Sequence, residues 1–86
     1  MNVKVEIPDY DGNGLDVIWE PGSKFIVDVF QNEIMISANR EGLLSFAKQL
    51  LYMAYNSLPD YSHIHYDTCF EGADSSYSLV FQKHTP

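Results

Sequence analysis

His63, His65 and Asp67 alternate within Ser62-His-Ile-His-Tyr-Asp67, so a strand here would project two imidazoles and a carboxylate from one face and Ile64 and Tyr66 from the other. Two ring nitrogens and a carboxylate oxygen can begin a transition-metal site. The alternative is a polar strand face whose histidines are simply hydrogen-bonded. A second oxygen-rich pattern is Asp9, Asp11, Asn13, Gly14 and Glu20, which satisfies the calcium-loop spacing D-x-[DN]-x-[DN]-G-x5-E at every specified position. Its surroundings argue against that chemistry. An EF-hand loop needs a helix on each side, whereas this one follows the strand-like Val3 to Ile7 with Pro8 and runs into Pro21 and Gly22. Asp16 also occupies the place where that loop carries an aliphatic residue. A hairpin connection is expected, because Asp, Asn and Gly suit turns for reasons unrelated to metal.

Nucleophilic catalysis finds little support. Ser62 and His63 are neighbours on opposite faces of a strand, so they cannot share the hydrogen bond that a serine nucleophile needs from its base. Cys69 would reach His65 only if the chain folded back. As the single cysteine it cannot form an internal disulfide. The lone Gly12-x-Gly14 has Val17 where a third glycine would be needed, and no G-x-x-x-x-G-K-[ST] is present. No catalytic residue and no cofactor is expected.

The elements that must hold these residues follow from periodicity. Val3, Val5 and Ile7 alternate with polar residues, as do Leu15, Val17 and Trp19 after the Asp/Gly-rich turn, which reads as a first hairpin. Lys24 to Phe30 and Glu33 to Ala38, joined by Gln31 and Asn32, read as a second, with Asn suited to positive φ. Leu43, Ala47, Leu50 and Ala54 then recur at helical spacing, with Phe46, Leu51 and Leu58 widening the stripe. One helix is expected over roughly 40 to 57, N-capped by Asn39 and stopped by Pro59, with Leu43, Ala47, Leu50, Leu51 and Ala54 against a sheet. Gly42 looks like a weakness, costing about 1 kcal/mol relative to Ala in a helix interior. Strands at 61–67 and 77–83 complete an α+β fold, a single helix packed on a mostly antiparallel sheet in the order ββββαββ.

At 86 residues the chain is expected to be one domain, residues 1–86, with a radius of gyration of roughly 12 Å. Six strands at about 4.8 Å spacing are wider than one helix can cover, so apolar area is left over. Tyr10, Trp19, Phe25, Phe30, Tyr61, Tyr66, Tyr77 and Phe81 are the aromatic residues that could supply it. The net charge of −7 excludes a phosphate-binding surface of clustered cations and favours a basic protein partner. No run approaches the roughly 20 apolar residues of a membrane span, and the polar, acidic N-terminus lacks the features of a signal peptide, so a cytoplasmic location is expected.

The run Arg40-Glu-Gly-Leu-Leu-Ser-Phe-Ala-Lys-Gln-Leu-Leu-Tyr-Met-Ala54, then Ser62-His-Ile-His-Tyr-Asp67, then Ser78-Leu-Val-Phe-Gln-Lys83, resembles the immunity protein 32 family of bacterial polymorphic toxin systems. The resemblance implies a non-catalytic protein that neutralises a cognate toxin domain by binding it. Acidity suits that implication, since many such toxins act on nucleic acid and are basic. His63, His65, Asp67 and Trp19 are the candidate partner-binding residues. Two other readings stay open at this point: a small metal-binding protein or metalloenzyme built on His63, His65 and Asp67, and a homodimeric ligand-binding or structural domain using the uncovered sheet face.

Overall fold

A computed structural model describes residues 1–15, 19–66 and 77–84. Its elements are β1 (Phe25–Phe30), β2 (Glu33–Ala38), α1 (Arg40–Tyr55), β3 (His63–Tyr66) and β4 (Leu79–Gln82). The fold is α+β, with both strand pairs antiparallel. The single wide sheet expected from the sequence is replaced by two separate ribbons, β1–β2 and β3–β4.

The first predicted hairpin is corrected. Val3 to Ile7 forms no strand, and Leu15 and Trp19 lie in irregular chain, with residues 16–18 outside the described residues. The alternation was real, since Val5 and Ile7 are half-buried between exposed neighbours. It records extended chain lying on the core, where Ile7, Tyr10, Leu15 and Trp19 pack at the margin. A side chain replaces the missing ladder: Asn56 accepts from the Tyr10 amide at 2.7 Å and donates to the Pro8 carbonyl at 3.2 Å. The same residue closes the helix through Tyr52 and offers its carbonyl to the Lys83 ammonium at 2.8 Å. A cation at that end also complements the helix dipole.

The β1–β2 ribbon runs in register from Phe25 opposite Ala38 to Phe30 opposite Glu33. Its turn places Gln31, and not Asn32, at positive φ (55°). Asn39 caps α1 as expected, its side chain accepting from the Gly42 amide. The helix ends at Tyr55, about two residues before the expected stop.

The face that α1 buries is not the one expected. Gly42, Ser45, Phe46, Gln49, Tyr52 and Met53 point inward, while Leu43, Ala47, Leu50 and Ala54 are exposed and Leu51 is half-buried. At 100° per residue the two stripes lie about 130° apart, and leucine content alone favoured the wrong one. The inner stripe succeeds in part because its buried Ser45 has partners. Ser45 Oγ lies 2.7 Å from the Glu41 carbonyl, 2.8 Å from Ser23 Oγ, and accepts from the Glu20 amide at 2.8 Å. Gly42 permits the closest approach, since a Cβ there would stand 2.6 Å from the Lys24 carbonyl oxygen.

Phe46 joins the two ribbons. Its ring meets Phe25 of β1 edge-on at 5.3 Å and Phe81 of β4 at 5.9 Å, and Trp19 packs on the same group at 5.5 Å. Phe25, Val27, Phe46, Tyr52, Met53 and Ile64 are the buried core. The radius of gyration is 13.6 Å, above the expected 12 Å.

Candidate functional site

Two outward surfaces hold the residues that could act on another molecule. The first is the outer face of β3–β4. Ile64 opposite Phe81 faces the core, so His63 and His65, opposite Gln82 and Val80, face solvent as alternation requires. Their rings are perpendicular with centroids 4.8 Å apart. His63 Nδ1 lies 3.1 Å from the Tyr61 carbonyl oxygen. A carbonyl only accepts, so Nδ1 is the donor in this contact.

Asp67, the third member of the set, lies outside the described residues, as does Cys69. Among the described residues no three His, Cys, Asp or Glu side chains come together to hold a metal ion. Trp19 is half-buried, stacked on Phe25 at 5.8 Å with an 8° interplanar angle. The arrangement can donate and accept hydrogen bonds through two imidazoles.

The calcium-like segment is engaged elsewhere. Asp11 Oδ1 accepts from the Asn13 amide at 2.8 Å in a local turn, with Gly12 and Gly14 at positive φ. The Glu20 carboxylate pairs with Lys48 of α1. The last oxygen ligand that the spacing promised is thus spent on fastening the loop to the helix. Because Val3 to Ile7 forms no strand, the described part of the segment is irregular chain and not the expected hairpin connection.

The second surface is apolar, and its helix part departs from the sequence reading, which places Leu43 and Leu50 against the sheet. Leu43 and Leu50 on α1 are 57% and 48% exposed, and a groove of about 320 Å³ runs from Leu50, Met53 and Ala54 to Val80 and Phe81. On the β1–β2 ribbon, Phe30 is 71% and Met35 55% exposed. Of the aromatic residues expected to supply such area, Phe30, Tyr61 and Tyr77 are exposed, Phe25 is buried, and Tyr10, Trp19 and Phe81 are half-buried. The signal that could have found the helix stripe was Ser45: a buried face that takes a hydrogen-bonded polar residue leaves the all-apolar stripe outside.

No described helix is long and apolar enough to cross a membrane. Neither the curated proteins nor the solved structures yield a match to the chain. A family model described as Immunity protein 32 matches residues 33–84, which span β2, α1, the histidine-bearing β3 and β4. With more than half of its length in that match, the chain belongs to the immunity protein 32 family.

Proposed function

We propose that the protein neutralises a cognate bacterial toxin domain in the cytoplasm by direct, non-catalytic binding. The observation that carries this reading is the family match over residues 33–84. The uncovered apolar side chains support it, because a binder needs area that a partner can desolvate. The net charge of −7 supports a basic partner, since opposite charge raises the rate of encounter. In this reading His63 and His65 contact the toxin from the β3–β4 side, Asp67 is a further contact residue, and Trp19 contributes through the part of its ring that half-burial leaves accessible.

Co-expression with the toxin encoded by the adjacent gene tests the proposal. Cells carrying this protein should survive induction of the toxin, and the two proteins should co-purify at one to one. If those cells die as fast as cells without it, the reading fails. The juxtaposed rings of His63 and His65 favour a second reading, a metal-binding protein. Stoichiometric zinc binding that protection requires, and that His63→Ala abolishes, would replace the first reading with this one.

A further inference from the structure

The outer face of the β1–β2 ribbon combines exposed apolar groups with charge of one sign. Residues opposite each other in an antiparallel pair share a face, so the register puts Ile26, Asp28 and Phe30 beside Ser37, Met35 and Glu33. All six are exposed. Asp28 stands across from Met35 and Phe30 from Glu33, so the two carboxylates occupy one diagonal and the two large apolar side chains the other. Such diagonals separate by about 7 to 8 Å. A depression of about 330 Å³ is lined by Asp28, Val29, Phe30, Glu33 and Met35. Neither carboxylate is in an ion pair among the described residues, and the span from Phe25 to Ala38 contains no Lys or Arg.

We propose that this ribbon face is where a basic protein partner docks, with an arginine or lysine of the partner seated between Asp28 and Glu33 and against the Phe30 ring. This rests on the immunity reading and names the surface and the chemistry by which the toxin is held. Charge selects the occupant. A neutral apolar partner would strip water from two carboxylates and leave them unpaired, which is costly. A second copy of the chain related by two-fold symmetry would bring the same two carboxylates against their own copies with no cation on either ribbon. A guanidinium or ammonium resolves both conflicts, donating charge-assisted hydrogen bonds to the carboxylates on its two sides and lying on an aromatic face. Met35 supplies the adaptable apolar contact beside it.

The test uses the purified toxin domain encoded by the adjacent gene and the full-length protein. Asp28→Asn with Glu33→Gln should slow association at least tenfold at low salt and flatten its salt dependence. Phe30→Ala should speed dissociation at least tenfold. Because these side chains are exposed, thermal melts of the variants should superimpose on the wild type, which separates lost docking from lost folding. If the ribbon variants bind within twofold of wild type while wild type still protects cells, the ribbon proposal is overturned and the immunity reading stands. If the wild-type protein does not bind the toxin, both fall. A wild-type homodimer in sedimentation that Phe30→Ala dissociates assigns the face to a second copy and overturns the proposal.

Discussion

Asn39 and Lys24 hold each other twice: the Lys24 amide donates to Asn39 Oδ1 at 3.0 Å, and the Asn39 amide donates to the Lys24 carbonyl at 3.1 Å. The same Oδ1 caps α1 through the Gly42 amide at 2.8 Å, and Nδ2 donates to the Gly22 carbonyl at 2.8 Å. One side chain therefore fixes the entry to β1, the exit from β2 and the start of the helix. Asn39→Ala should cost about 1 to 2 kcal/mol in urea melts, the upper range for a cap, because the lost bonds reach beyond the helix. Asn39→Asp keeps both accepted bonds and should recover most of that loss.

Gly42 gives a prediction opposite in sign to helix propensity. Replacing a helical glycine by alanine ordinarily stabilises by up to about 1 kcal/mol. Here the added Cβ would lie 2.6 Å from backbone oxygen and 3.1 Å from Ala38 Cβ, so the helix and ribbon must separate. Gly42→Ala should destabilise by about 1 to 3 kcal/mol, as overpacking does. A variant more stable than wild type in the same melts would contradict the close approach.

The elements were legible in the sequence where the local pattern and the tertiary partner agree. Asn39, the run to Ala54 and the alternation of His63 with His65 are cases where cap chemistry, helical period and strand period decide alone. The helix face was not legible, because two apolar stripes compete and the winner depends on Ser23 and Glu20, residues far away in sequence that satisfy Ser45. The N-terminal segment misled for a related reason. Alternation reports which side of an extended chain is covered, and Asn56, 46 residues from Tyr10, determines that the cover is a side-chain clasp and not a ladder. The histidine pair could be placed on a face from spacing. The perpendicular contact between the two rings required the fold.

Two substitutions on α1 distinguish its faces directly. Phe46 is buried where both ribbons and Trp19 converge, so Phe46→Ala should cost about 3 to 5 kcal/mol. Leu50 keeps 48% of its surface exposed, so Leu50→Ala should cost about 1 kcal/mol or less. Equal losses in urea unfolding would return Leu50 to the core.

Calcium should leave the fold unchanged. With Asp11 held in its turn and Glu20 paired to Lys48, two of the five matching positions are already engaged. Calorimetric titration should show nothing tighter than about the millimolar range of weak calcium modules. Micromolar binding abolished by Asp11→Ala would overturn this. Glu20→Gln, by contrast, should lower stability modestly, by about 0.5 to 1 kcal/mol, because it removes a half-exposed ion pair and leaves the Glu20 amide bond to Ser45 intact.

Salt should act on the toxin complex mainly through its rate of formation. A protein of net charge −7 attracts a basic partner over distances up to about a Debye length, roughly 10 Å at 0.1 M salt and about 3 Å at 1 M. That steering operates before contact. In the proposed complex dissociation would instead depend on desolvated side chains such as Phe30 and Met35, exposed in the free protein, whose burial salt does not screen. Stopped-flow mixing across that range should show association slowing by at least tenfold while dissociation changes by less than threefold. A complex whose dissociation carries the salt dependence would be held by ion pairs and not by apolar contact, and the exposed ring of Phe30 would then lose its assigned part in the affinity.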